Sequence, residues 1–146
     1  MNDGNEIVTT LTKLFWATDH HDWEGLRRTF AGQVLLDYTA TLGGEPRICA
    51  PGEVVDGWRP AFEALDAHQH LVANHMVEIA DEEATATASF IATHQFRGET
   101  WTLGGDYHFR LHRCEGNWRV AVMRMVPVWQ TGPVDLVTKA LEAAAS

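Results

Sequence analysis

The sequence predicts an α+β fold: N-terminal helices packed on a strongly curved antiparallel sheet around an apolar pocket. Three observations predict the layers and the bend. Apolar residues recur at helical spacing through the first third of the chain. Four long stretches with period-two alternation follow, joined by short polar links. Two adjacent glycines, Gly104 and Gly105, sit inside the third of those stretches, where they suit a sheet that bends.

Met1–Glu6 is polar and reads as a frayed end. Ile7, Val8, Leu11, Leu14 and Phe15 then form a helical stripe that Asp19 continues as the i+8 residue of the Leu11, Phe15 row. Asp22 reads as the N-cap of a second short helix carrying Trp23, Leu26, Arg27 and Phe30, which Gly32 ends. Val34–Tyr38 reads as a strand, and Gly43, Gly44 and Pro46 as a loop. Pro51 opens a third helix with Val54, Val55, Trp58 and Phe62, and Pro60 should kink or split it.

The meander comprises Leu71–Ile79, Ala84–Phe96, Trp101–Arg113 and Trp118–Trp129, turning at Asp81-Glu82-Glu83, Arg97-Gly98-Glu99 and Glu115-Gly116-Asn117. Pro133 opens a weak C-terminal helix through Leu136, Val137, Ala140 and Leu141. Residues 1–146 read as a single domain, with no repeat or linker.

The 146 residues suffice for a sizeable core, and 45% of them are hydrophobic. A formal charge of -9 and the lack of a basic stripe speak against a nucleic-acid partner. There is no apolar stretch of membrane-spanning length, so no membrane partner is expected. No leader-like N-terminus is visible, and the two cysteines, Cys49 and Cys114, are far apart; a cytoplasmic location is expected.

Alternation places candidate chemistry on one face. In the second meander strand, Ala84, Ala86, Ala88, Phe90, Ala92 and His94 share parity, so His94 should face inward among small residues. In the third, Trp101, Leu103, Gly105, Tyr107, Phe109 and Leu111 do so, and Val34, Leu36 and Tyr38 share the earlier strand's inner face. Asp19 ends an apolar helical stripe, where burial and the helix C-terminus both disfavour its charge. A donating partner would offset that cost, and His70, in parity with Val72, Asn74 and Met76, is the natural one. An Asp–His pair orients an imidazole for proton transfer, worth about 10²–10⁴ in rate.

Phe15-Trp16-Ala17-Thr18-Asp19-His20-His21-Asp22-Trp23, with Leu26-Arg27-Arg28, resembles the opening of the scytalone dehydratases. Leu36-Asp37-Tyr38, His68-Gln69-His70, Thr93-His94-Gln95 and Glu115-Gly116-Asn117-Trp118-Arg119 fall where that family keeps further motifs. The resemblance runs from about Leu11 to Trp129 and extends to the SnoaL-like, nuclear transport factor 2-like (NTF2-like) superfamily, which implies that superfamily's NTF2-like cone fold. It implies that Asp19 and His70 are the catalytic pair, with His70 taking a proton alpha to a carbonyl. It further implies that His94 assists loss of a hydroxyl as water and that Tyr38 polarises the carbonyl. Thr18 stands where the family has a second carbonyl-polarising Tyr, Gly105 where it has Ser, and Tyr107 where it has a substrate-contacting Asn.

The expected substrate contacts are Trp16, Thr18, Val72, Asn74, Phe90, Trp101, Tyr107 and Met123, suiting an apolar or aromatic ring ketone. The expected activity is a cofactor-free dehydratase acting on a cyclic or polyketide-like hydroxy ketone. A SnoaL-like isomerase or cyclase, and a non-catalytic ligand-binding domain, are the alternatives. No cofactor is expected. No metal is expected either, since His68 and His70 share a face without an evident third ligand. The resemblance implies a homo-oligomer, a trimer formed through the outer sheet face.

Overall fold

A computed structural model describes residues 2–146. Helix α1 spans Asp3–Asp19, and Asn2 caps it by accepting the Asn5 N–H at 2.8 Å. The segment expected to fray is therefore helical from Asp3, because a side-chain cap satisfies one of its free donors, an interaction worth about 1 kcal/mol. Ile7, Leu11, Leu14 and Phe15 are buried along one stripe, and Thr18 extends it with its hydroxyl donated to the Leu14 carbonyl.

Helix α2 spans Trp23–Arg27 under the expected Asp22 cap. Strand β1 runs over Phe30–Asp37, so Phe30 and Gly32 belong to the strand and not to the helix. Phe30 pairs with Val120 of the last strand, and that ladder ends the helix early. A single turn, α3 (Thr39–Leu42), and a short edge strand, β2 (Arg47–Cys49), occupy the segment expected to be loop. Helix α4 spans Pro51–Ala64 unbroken through Pro60. Pro60 and Asp56, whose carbonyl loses its donor, are both exposed, so water can serve that carbonyl and the helix is not split.

The meander is β3 (Ala67–Ala80), β4 (Glu83–Phe96), β5 (Glu99–Cys114) and β6 (Asn117–Thr131). Its turns use left-handed backbone: Arg97 and Gly98 have φ of 49° and 81°, Glu115 and Gly116 of 51° and 84°. Two consecutive positive φ values match the right-handed twist of a tight hairpin. Helix α5 spans Leu136–Ala144. The sheet order is β2-β1-β6-β5-β4-β3, with β1 parallel to β6 and every other pair antiparallel.

The sheet is curved and unclosed, as the paired glycines suggested. The β5–β6 register slips between Gly104 and Gly105, and a Cβ on Gly105 would stand 2.2 Å from the Val126 carbonyl oxygen. Only a residue without a side chain permits that approach. Helix α1 lies on the inner face, with the Phe15 ring 5.0 Å from that of Tyr107. The alternation read from β4 and β5 holds: Ala84, Ala86, Ala88, Phe90, Ala92 and His94 are buried, as are Leu103, Tyr107, Phe109 and Leu111. Leu65, Leu136 and Ala140 form a smaller core where α5 packs on α4, beside one end of the sheet.

Candidate active site

The last residue of α1 meets the start of β3. The Asp19 carboxylate takes the His70 ring Nδ1–H on Oδ1 at 2.7 Å and the His70 backbone N–H on Oδ2 at 2.8 Å. The stripe Leu11, Phe15, Asp19 carries the carboxylate to this point, with Phe15 packed 5.4 Å from the His70 ring. Burial alone would raise the Asp19 pKa, but the adjacent His68 ring and the His70 ring and backbone N–H outweigh it and hold the carboxyl well below the usual range. Asp19 is therefore an anion at neutral pH. Its bond to Nδ1 leaves Nε2 of a neutral His70 with a free lone pair.

His94 lies on the neighbouring strand, its ring 6.3 Å from that of His70. Its Nδ1 is 3.1 Å from the Trp101 carbonyl oxygen. A carbonyl cannot donate, so Nδ1 carries the proton and Nε2 is an acceptor. Burial is the main cause that pushes the His94 pKa down to about 4. His94 is thus neutral at pH 7, and its free nitrogen offers a lone pair instead of an acid proton.

Both imidazoles line a cavity of about 300 Å³. Tyr38 and Tyr107 also line it, and burial raises both phenol pKa values, keeping them protonated as donors. Trp58 and Phe62 from α4 form one wall, and Val134 and Val137 beside and within α5 form another. Residues 1–124 match the SnoaL-like domain family. The chain belongs to that family.

Solved structures agree on the fold, which is that of the nuclear transport factor 2-like superfamily. A protein from Kribbella flavida is similar at a TM-score of 0.87 and 22% identity, over 93% of this chain and 97% of that one. A candidate scytalone dehydratase from Novosphingobium aromaticivorans is similar at 0.79 and 14%, over 90% and 87%. A hexachlorocyclohexane dehydrochlorinase is similar at 0.75 and 11%, over 88% and 87%. No curated protein matches the chain at the sequence level.

In this SnoaL-like domain the cavity gathers Asp19's partner His70 with His94, Tyr38, Thr18, Trp101, Tyr107 and Met123, all expected from sequence. Four expected contacts lie elsewhere. Trp16 is 64% exposed and stacks on His20 at 3.9 Å outside the cavity. Asn74 is exposed, with φ of 58°, at a bulge where the β3–β4 register slips between Ala73 and Met76. The bulge reverses the parity that had placed Asn74 with His70. Val72 faces a groove between α1 and β3 that Asp19 also borders. Phe90 is buried beneath Tyr107, their rings stacked at 4.3 Å.

Two features of the SnoaL-like site were not legible in the sequence. Trp58 and Phe62 form an i, i+4 row on α4, but nothing in their spacing indicated which wall they face. His68 reaches Asp19 as well, its Nδ1 3.4 Å from Oδ1. The third ligand that the sequence did not offer is thus present: donor atoms of Asp19, His68 and His70 lie within 4.8 Å of one another and could hold a cation. The 2.7 Å Asp19–His70 contact is tighter than the roughly 3.3 Å ligand spacing of tetrahedral zinc, so it fits a hydrogen bond better than a metal chelate.

Proposed function

We propose that this SnoaL-like domain is a cofactor-free lyase that removes water from a cyclic or polyketide-like hydroxy ketone. The observation that carries this reading is the ionised Asp19 holding His70 by ring and backbone at the wall of an apolar cavity. His70 Nε2 takes a proton from the carbon alpha to the carbonyl, and the electron pair moves onto the carbonyl oxygen. The imidazolium so formed is stabilised by Asp19. The Tyr38 and Tyr107 hydroxyls are the donors available to the developing enolate.

The enolate then re-forms its carbonyl and expels the β-hydroxyl. The leaving hydroxide takes the proton from His70 Nε2–H and departs as water, which returns His70 to its starting state. His94 is assigned a different part from the one its family resemblance implied: its Nε2 accepts a hydrogen bond from a substrate hydroxyl and orients it, while His70 supplies the acid proton. The likeness to a named dehydratase and a named dehydrochlorinase supports elimination, since both names describe loss of a group from adjacent carbons.

One observation favours a second reading. An isomerase or cyclase needs the same base and oxyanion donors but no acid for a leaving group. A neutral His94 satisfies that requirement equally well. Product mass separates the two when the protein is given cyclic β-hydroxy ketones. Loss of water supports the lyase, unchanged mass supports the isomerase, and no turnover of any cyclic ketone leaves neither standing.

A further inference from the structure

The Asp19–His70 pair is the inner end of a longer line. His68, two residues before His70 on β3, is buried, with 4% of its side chain exposed. Its ring packs 4.5 Å from that of Phe62. Its Nδ1 faces Asp19 Oδ1 at 3.4 Å and has no hydrogen-bond partner among the described residues. Its Nε2 lies 2.8 Å from Nε2 of His21.

We propose that His21 and His68 fix the proton positions of the Asp19–His70 pair, with His68 as a positioning residue for the base. Counting protons leads to this arrangement. Two imidazole nitrogens 2.8 Å apart need one proton between them. If neutral His68 carried its proton on Nε2, the lone pair of buried Nδ1 would face a carboxylate. With the proton on Nδ1, His68 donates towards Asp19, its Nε2 accepts, and His21 supplies Nε2–H. Asp19 Oδ1 then faces two donors and Oδ2 holds the His70 backbone N–H, so the carboxylate cannot turn away.

The backbone gives independent support. His21 follows the α1 C-cap at φ 57°, the left-handed position that usually goes to glycine. A histidine held there has its ring near-parallel to that of Trp23, centroids 5.2 Å apart, and edge to edge with that of His68, centroids 5.1 Å apart and the planes 12° from parallel. Trp23 is in turn anchored by donating Nε1–H to Glu63 at 2.9 Å. The charged and titratable groups facing the line are Asp19 on α1, His70 on β3, His94 on β4 and Glu63 on α4.

The importance of the line for turnover rests on the lyase reading, but its protons can be read without substrate. Long-range proton–nitrogen NMR of the imidazoles distinguishes the two tautomers of each histidine. In the unmodified protein at neutral pH, His68 and His70 should carry their protons on Nδ1 and His21 on Nε2. His68→Leu releases Asp19 to His70 alone, and the His70 Nδ1–H proton resonance should shift downfield as that hydrogen bond strengthens. His68→Asn places an amide N–H near the lost Nδ1–H and should reverse most of that shift. His21→Phe keeps a ring against Trp23 but not the donor, and should let the His68 proton move to Nε2; His21→Gln should return it. A His68 proton found on Nε2 in the unmodified protein overturns the proposal, as does an unchanged His70 Nδ1–H resonance in folded His68→Leu. Should His68→Leu not fold, the tautomers of the unmodified protein and of the His21 pair decide. Confirmed tautomers in a protein without turnover would sink the lyase and leave the line intact.

Discussion

Asp19 holds His70 at two points, ring Nδ1–H at 2.7 Å and backbone N–H at 2.8 Å, across the junction of α1 and β3. A carboxylate bonded only to the ring would orient an imidazole. This one also ties the strand to the helix end, so the placement of the imidazole is part of the fold.

Removing the acceptor should therefore cost both activity and stability. Asp19→Ala leaves a ring N–H and a backbone N–H without their partner, which is expected to lower stability by about 1–3 kcal/mol. His70→Ala keeps the carboxylate but removes the proposed base, and turnover should fall at least about 10²-fold. Circular dichroism melting and steady-state rates on the same samples separate the two effects.

Stability should depend on pH through His94. Its folded pKa of about 4 lies below the ordinary histidine value, so the unfolded chain binds more protons between about pH 6.5 and 4. The contribution is fully present above about pH 6.5 and is lost as pH falls through the folded pKa. The loss is at most about 3 kcal/mol. Asp19 acts in a lower window, since its folded pKa is depressed: its contribution is present above about pH 4 and lost below. His94→Asn keeps a donor for the Trp101 carbonyl but does not titrate, so its denaturation midpoint should fall less than that of the unmodified protein across the upper window; His75, whose pKa burial also lowers, retains its own contribution.

Restoring the serine that the related family carries at position 105 should harm this protein. Its Cβ would meet the Val126 carbonyl oxygen at 2.2 Å and Pro127 Cα at 2.7 Å, both backbone atoms that cannot step aside. Gly105→Ser is expected to cost about 1–3 kcal/mol, read as a lowered melting temperature. An unchanged melting temperature would show that the β5–β6 slip can absorb a side chain.

Two alanines on one face of β4 should respond oppositely to enlargement. Ala92 borders the cavity, whereas Ala86 is packed in the main core and is 1% exposed. Ala92→Leu should fold with little loss and weaken binding of a ring ketone. Ala86→Leu should be destabilised by about 1–3 kcal/mol. Melting curves and ketone titrations on both variants check the pair.

The layers and the inner face were legible in the sequence because period two along β4 and β5 is strict, and a buried face tolerates no slip. His94 and Tyr107 came with that parity; Tyr38 was read from the alternation of Val34 and Leu36, although the strand ends at Asp37 and Tyr38 is the N-cap of α3. The Asn74 assignment failed because a bulge costs one residue of register and leaves no mark in local composition. Trp16 failed for a different reason: it was expected in the pocket lining, but its ring lies on the solvent side of the stripe that Phe15 buries. His68 shared a face with His70 in the sequence. That it reaches the same carboxylate depends on where α1 ends against β3, which only the packed structure shows.

The central claim is that His70, held by Asp19, removes a proton next to a carbonyl inside the cavity. Exchange of the alpha hydrogens of a cyclic ketone for deuterium in D₂O, followed by proton NMR, measures that step alone, whatever the later fate of the enolate. The unmodified protein should accelerate exchange, and His70→Ala and Asp19→Asn should each reduce it to near the buffer rate. Acceleration that survives in folded His70→Ala would contradict the claim.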